Sequence, residues 1–324
     1  MKSLIMKSVI CRKELHPLGN TVLKVSNETM GKMINYYQPF STGKIPQGGV
    51  FAAKPPGCSV TAYKSGKVLF QGKTADEEAA KWQGETSVPN SGTNPKSSGS
   101  ALPQGFSDWS VIGSDEVGTG DYFGPMTVVS AYVKKEEIAL LKELGVRDSK
   151  NLTDTQISII AKQITKIIPY SLLILKNDKY NELQQKGMSQ GKMKALLHNQ
   201  AILKLQEKIA PEKPEAILID QFAEKATYYR YLEGQRHICK EDVYFSTKGE
   251  SVHIAVAAAS IIARYAFVKE FEKLSKEAGF TLPKGAGSQV DQAGARLIRM
   301  KGEACLRHFT KLHFANTEKA KRLL

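Results

Sequence analysis

The residues best suited to chemistry in this chain are acids that end apolar runs. Val111-Ile112-Gly113-Ser114 leads into Asp115-Glu116, and Val117-Gly118-Thr119-Gly120 follows. A carboxylate pair carried by a buried strand into a glycine-bearing loop suits hard divalent cations, which take oxygen ligands. Ala216-Ile217-Leu218-Ile219-Asp220 repeats the theme. Its unbroken apolar character marks a strand covered on both faces, and ligands of α/β sheets gather outside the carboxyl ends of such strands. Glu250 opens a third element, a run of small residues through Ala263, where the helix dipole favours a carboxylate. Each acid has a competing structural role: Asp220 as N-cap of a helix from Phe222, Glu250 as a helix-terminus charge. Taken together, Asp115, Glu116, Asp220 and Glu250 form the set that two divalent ions about 4 Å apart need to activate water and stabilise a leaving oxygen. Neighbouring strand residues point to opposite faces. Asp115 and Glu116 can therefore both ligate only if the strand breaks, which Gly118 and Gly120 permit, or if Glu116 offers its backbone carbonyl.

Alternating strands and helices must position these acids. Hydrophobic periodicity predicts strands at 110–117, 126–133, 170–176, 215–220 and 243–247, and helices at 136–144, 153–167, 189–209, 222–233 and 250–278. The first two strands must pair antiparallel, because eight residues between them are too few for a crossover helix. Later strands carry helical crossovers, so a mixed α/β sheet is expected. His198 falls on the apolar stripe of its helix and His253 one turn after Glu250; both read as packing or hydrogen-bonding residues, His253 with the option of orienting a carboxylate.

Upstream, Gly49–Ala53 and Cys58–Gln71 read as strands, the second folded into a hairpin at Ser65-Gly66. A helix follows from Ala75 to Trp82, with Thr74 as its N-cap. Tyr63, Lys64, Lys67, Phe70 and Lys73 mix aromatics with cations, as nucleic-acid surfaces do. A stretch from Gly84 to Gln104, nearly free of large apolar residues, reads as a flexible linker. The chain thus divides into an N-terminal module at 1–84, a linker at 85–107 and a C-terminal module at 108–324.

With 324 residues, 41% hydrophobic and 24% charged, the chain can build ordinary cores. Its formal net charge is +14, which favours a polyanionic partner. Residues 1–85 hold 12 Lys/Arg against 6 Asp/Glu, and residues 108–324 hold 33 against 26, so both modules can touch phosphates. No run approaches the roughly 18 apolar residues of a membrane span, and Lys7 interrupts the one signal-like start. Cys11, Cys58, Cys239 and Cys305 lack C-x-x-C spacing and read as reduced thiols of a cytoplasmic protein. A monomer without small-molecule cofactor is expected.

Long motifs in order give the chain its likeness to a known family. Ala62-Tyr63-Lys64-Ser65-Gly66-Lys67-Val68-Leu69-Phe70-Gln71-Gly72, Gly113 through Pro125, Asp148-Ser149-Lys150, Lys192-Met193-Lys194-Ala195-Leu196-Leu197-His198-Asn199, Ile219-Asp220-Gln221-Phe222, Glu250-Ser251-Val252-His253, Lys284-Gly285-Ala286-Gly287 and Leu312-His313-Phe314-Ala315-Asn316 resemble ribonuclease HIII of bacteria. The resemblance implies a ribonuclease H-like mixed sheet flanked by helices, with a small α+β N-terminal domain similar to the TATA-binding protein. It implies an endonuclease, dependent on Mg2+ or Mn2+, that cuts the RNA strand of RNA/DNA hybrids and leaves 5′-phosphate and 3′-hydroxyl ends. The family's acidic tetrad falls on Asp115, Glu116, Asp220 and Glu250. The Gly118-Thr119-Gly120 backbone is expected to inspect the 2′-hydroxyl, the group that separates RNA from DNA. Lys150 and Lys192 are candidate phosphate contacts, and Tyr63, Lys64 and Lys67 candidate contacts of the N-terminal module. The alternative is a ribonuclease HII-type enzyme acting at single ribonucleotides; Thr119 stands where that relative carries arginine and points away from it.

Overall fold

The computed structural model describes residues 9–11, 20–46, 48–82 and 102–324, with backbone alone for 9–11 and 20. In chain order its elements are β1 (Val9–Cys11), β2 (Asn20–Lys24), α1 (Asn27–Tyr37), β3 (Gly49–Ala53), β4 (Cys58–Tyr63), β5 (Lys67–Gly72), α2 (Ala75–Ala80), β6 (Val111–Val117), β7 (Met126–Val133), α3 (Ile138–Glu143), α4 (Asp154–Ile164), β8 (Tyr170–Leu175), α5 (Asn177–Gln185), α6 (Gln190–Ile209), β9 (Ala216–Asp220), α7 (Lys225–Tyr231), β10 (Val243–Ser246), α8 (Gly249–Val252), α9 (Ile254–Ala278), α10 (Ser288–Lys301), α11 (Leu306–Phe309) and α12 (Asn316–Lys321).

The larger sheet has the order β1-β8-β7-β6-β9-β10. β6 and β7 pair antiparallel, as the short loop between them requires, whereas β9 runs parallel to β6 and β10 parallel to β9. The mixed α/β sheet expected from the sequence is therefore present, with all five anticipated strands within a residue or so of their expected bounds. β1 is the unanticipated sixth strand and pairs antiparallel with β8.

Two long helices cover the two faces of this sheet, and strand alternation decides what each face receives. Val111 and Leu218 point into the core beneath α9, whereas Ile112, Ile217 and Ile219 point into the core beneath α6. α9 lies against the strands almost backbone to backbone. A Cβ on Gly113 would stand 2.2 Å from the Ala255 carbonyl carbon and the Val256 nitrogen, so only glycine fits that crossing. The helix expected over 250–278 is two helices broken at His253, whose extended backbone and Nδ1 cap α9 by accepting from the Ala255 amide.

The smaller sheet, β2-β5-β4-β3, is antiparallel throughout. Val60, Ala62, Val68 and Phe70 point to α1 and α2 and form the core of this region. Tyr63 and Leu69 point the other way and join the core of the larger sheet, alongside Leu140 of α3. This corrects the expectation that Tyr63, Lys67 and Phe70 line a ligand surface. Tyr63 is 2% exposed and Lys67 7%, because an aromatic and aliphatic stripe on an open sheet face is stabilised by being covered, whereas Phe70, 0% exposed, points into the core beneath α1 and α2. The hairpin is pinned there by the Ser65 hydroxyl, which donates to Glu143 at 2.8 Å. Lys64 remains exposed. Residues 85–101 of the expected linker lie outside the described residues, whereas 102–107 are described, and Phe106 is buried in the core of the larger sheet rather than part of a free linker.

Candidate active site

Asp115 and Asp220 stand at the carboxyl ends of neighbouring parallel strands, β6 and β9, both on the α9 side of the sheet. Register places Ser114 beside Ile219, so each acid is the next residue along its strand. Asp115 is 5% exposed. Its Oδ1 accepts from the Glu116 amide at 2.7 Å. Burial, reinforced by the charges of Glu116, Asp220 and Glu250 and only partly offset by a hydrogen bond from Ser260, pushes its carboxyl well above the ordinary aspartate range. Burial also raises Asp220, against the opposing effect of the Gly249 amide, which donates to Oδ1 at 2.7 Å. Asp220 therefore bonds to the start of α8, not to the first turn of its own following helix.

Glu250 closes this group from α8. Its Oε2 accepts from the Ser149 amide at 2.7 Å, and Lys150 Nζ lies 3.8 Å from Oε1. Ser149 in turn shares a 2.9 Å hydroxyl contact with Ser260, and its carbonyl accepts from Arg264 at 2.6 Å. The Asp148-Ser149-Lys150 segment is thereby brought to the acids by α9, a link between residues more than a hundred positions apart. His253 does not orient a carboxylate. Its ring sits between the Ala255 amide and the Trp109 carbonyl, and burial lowers its pKa to about 4, so it is a neutral cap.

Glu116 belongs to the opposite face. β6 stays regular through Val117, so the strand does not break between the two acids and Glu116 points toward α6. Lys194 donates to its Oε1 at 2.7 Å and His198 to its Oε2 at 2.8 Å. Burial works to raise the Glu116 carboxyl, but His198 and Lys194 outweigh it and hold it below the ordinary glutamate range. The carboxylate can only accept, so His198 Nε2 carries a proton. His198 Nδ1 meets Ser114 Oγ at 2.7 Å, and Ser114 meets Ser130 at 3.0 Å. Phe222 stacks on the imidazole and lies 4.2 Å beneath the Lys194 ammonium. Lys194 was not singled out from the sequence. The four-residue spacing to His198, which puts both on one helix face, was the available signal.

The loop after β6 turns its carbonyls inward. Thr119 O accepts from Gln190 at 3.0 Å, and the carbonyls of Asp121 and Gly124 accept from the Lys311 ammonium at 2.7 and 2.6 Å. Among the described residues, the amides of Gly118, Thr119 and Gly120 donate to no protein group. Gly118 has φ +92°, and a Cβ there would stand 2.3 Å from the Pro125 carbonyl, so the turn requires glycine. Lys192 is half-buried at the start of α6, and the Lys150 side chain is 74% exposed. The three acids of the α9 face thus lie beside a loop with open donors and near an exposed cationic side chain.

The donor set fits hard divalent cations, although no three acidic, histidine or cysteine side chains among the described residues are already arranged around one ion position. Carboxylates crowded into a buried site repel one another and disfavour their own ionisation. Among the described residues, the only ion pair made by Asp115, Asp220 or Glu250 is the long contact with Lys150. A doubly charged cation with oxygen preference supplies the missing balance.

Comparison with known proteins agrees with this chemistry. A family model described as ribonuclease HII matches residues 112–317, and one described as a domain of unknown function, DUF3378, matches residues 20–94. Ribonuclease HIII of Bacillus velezensis is 60% identical over 310 residues, covering 95% of this chain and 98% of the relative. Ribonuclease HIII of Bacillus subtilis is 60% identical over 310 residues, covering 94% and 98%. The crystal structure of Bst-RNase HIII in complex with Mn2+ superposes with a TM-score of 0.68 at 48% identity, covering 94% of this chain and 99% of that one. On the strength of these nearly full-length matches, the chain belongs to the ribonuclease HIII family.

Proposed function

We propose that Asp115, Asp220, Glu250 and Glu116 are the catalytic and metal-binding residues with which this chain, a type 2 ribonuclease H, hydrolyses the RNA strand of RNA/DNA hybrids. The observation that carries the assignment is the convergence of three acids on one sheet face, two of them with ionisation disfavoured by burial and mutual repulsion. Divalent ions of the Mg2+ or Mn2+ class, when bound, supply an activated water and stabilise the leaving oxygen. Asp115 and Asp220 would hold them from the strand ends and Glu250 from the helix start. Glu116 would shape the same charge from the α6 side, its orientation fixed by Lys194 and His198.

Substrate recognition falls to the loop and the basic surface. The open amides of Gly118, Thr119 and Gly120 suit a ribose 2′-hydroxyl, whose oxygen can accept from them. Lys150 and Lys192 suit flanking phosphates, and Lys64 is the N-terminal candidate that remains exposed. Residues 1–84 would act as a substrate-binding domain with a fold similar to the TATA-binding protein, joined through 85–107 to the catalytic domain at 108–324. The protein would work as a cytoplasmic monomer; no helix among the described residues is long and apolar enough to cross a membrane.

The deciding experiment offers the full chain, with Mg2+ or Mn2+, four labelled duplexes: RNA/DNA hybrid, double-stranded RNA, double-stranded DNA, and DNA holding a single ribonucleotide. Cleavage confined to the RNA strand of the hybrid is the expected outcome. Preferential incision at the single ribonucleotide would move the chain to the ribonuclease HII type of activity, and cutting of double-stranded DNA would remove the 2′-hydroxyl reading of the loop.

A further inference from the structure

A lysine with no access to solvent sits directly behind the recognition loop. Lys311 is 0% exposed. Its ammonium donates to the carbonyls of Asp121 and Gly124 at 2.7 and 2.6 Å, and its own amide donates to Tyr122 O at 2.9 Å. Burying a cation among neutral partners is costly, and a methionine or leucine would fill the same space at less expense. Gln190, at the first turn of α6, reaches the loop from the other end. Its Nε2 donates both to Thr119 O and to the Tyr180 hydroxyl at 3.0 Å, and the Tyr180 ring lies 5.8 Å from the Lys311 ammonium. Three loop carbonyls, at 119, 121 and 124, are therefore drawn inward by side chains of two distant elements. The amides of 118–120 have no protein partners among the described residues.

We propose that Lys311 and Gln190 form an internal brace that positions the Gly118–Gly120 amides for the substrate ribose. They are positioning residues, since neither side chain reaches the reacting atoms. The inference rests on the reading of that loop as the 2′-hydroxyl sensor and adds the groups that set its shape. Because the peptide plane is rigid, fixing Thr119 O fixes the direction of the Gly120 N–H, while Lys311, by holding the carbonyls of Asp121 and Gly124, anchors the following half of the same loop and so limits how far 118–120 can shift. Preorganised donors gain over mobile ones by avoiding reorganisation when substrate arrives. The brace does not depend on the lysine's charge. Burial lowers the Lys311 pKa to about 7, yet a neutral amine keeps two N–H donors, enough for two carbonyls. Asp121, Tyr180 and His313 face the same ammonium; Tyr180 is raised to about 12 and His313 lowered by burial.

The test uses the full-length protein carrying Lys311→Met or Gln190→Leu. Each variant is compared with wild type on an RNA/DNA hybrid and on the same hybrid with the 2′-hydroxyl removed at the scissile ribose. Mn2+ affinity is measured separately by calorimetry without substrate. For Lys311→Met, kcat/KM on the normal hybrid should fall at least about tenfold, and the penalty for removing the 2′-hydroxyl should shrink by a similar factor. Gln190→Leu should move both in the same direction by about threefold, and Mn2+ affinity should stay within about twofold for both. Folded variants that keep the wild-type penalty overturn the brace, as does a loss of Mn2+ affinity parallel to the loss of activity, which would make these residues supports of the acids. If Lys311→Met fails to fold, Gln190→Leu decides by the same criteria. A wild-type enzyme indifferent to the 2′-hydroxyl defeats the sensor reading itself and the brace with it, whereas a large wild-type penalty unchanged in both variants defeats the brace alone.

Discussion

The two faces of the central sheet receive acids from the same strand and treat them oppositely. On the α9 face, Asp115, Asp220 and Glu250 crowd together, and burial and repulsion disfavour the ionisation of the two aspartates. On the α6 face, Glu116 already has Lys194 and His198 on its two oxygens and is held ionised. The histidines repeat the contrast: His198 bridges a hydroxyl and a carboxylate, whereas His253 bridges a peptide carbonyl and a peptide amide. Charge balance, rather than proximity in the chain, separates the acids whose charge the protein leaves unbalanced from the acid whose side chain it already pairs and holds in place.

The sharpest way to break this contrast is to neutralise the unbalanced face. Asp115→Asn or Asp220→Asn should lower cleavage to below about 1% of wild type, a loss of roughly 3 kcal/mol or more of transition-state stabilisation, while hybrid binding survives because the amide keeps the shape. Retention of more than a few per cent of the wild-type rate would remove these residues from the metal site.

On the balanced face the effect should be smaller and indirect. His198→Ala and Lys194→Met should each cost about 10–100-fold in activity, the usual range for residues that orient a metal-site ligand. Because both act through Glu116, either change should add little once Glu116→Gln is present. Full additivity in the double variants would show that His198 and Lys194 work independently of that carboxylate.

Glu250→Gln sharpens the comparison within the α9 face. A loss of about tenfold is expected, a difference of roughly 1.4 kcal/mol, with a different size in Mg2+ and in Mn2+. A variant with lowered thermal stability and full turnover in both metals would reduce Glu250 to a helix-terminus charge.

The smallest effect concerns His253 and stability alone. Its folded-state pKa of about 4 lies below the ordinary value of 6.5. The unfolded chain therefore takes up a proton as pH falls below about 6.5 while the folded chain does not, and stability is lost until pH reaches about 4. Between pH 7 and pH 5 this should remove about 2 kcal/mol. His253→Asn, which keeps an N-capping side chain, should flatten that part of the stability curve measured by denaturant titration. An unchanged slope would assign the acid sensitivity to other groups.

Much of the catalytic region was legible because its signals are local. Continuous apolar runs ending in acids mark β6 and β9, and the eight residues after Val117 fix the antiparallel pairing of β6 with β7. The C-terminal helices were not anticipated, though α10 carries a readable stripe in Val290, Ala293, Leu297 and Ile298, all buried. α5 is polar through most of its length and gave no such stripe. The hairpin of the smaller sheet is legible in the sequence, but which of its faces stays free is not. Tyr63 and Lys67 look like a binding surface by composition, and only the docking of α3 shows that the same face is covered.

By itself the sequence determined which residues end strands, which alternate, and which acids share a parity along β6 and β9, because side-chain direction follows from backbone geometry over a few residues. Tertiary structure alone decided that Glu116 is neutralised by α6, that Ser149 reaches Glu250 from a hundred residues away, and that a buried lysine near the C-terminus holds the loop at 118–125. Those pairings depend on which distant surfaces bury each other, a choice that no short stretch of chain encodes.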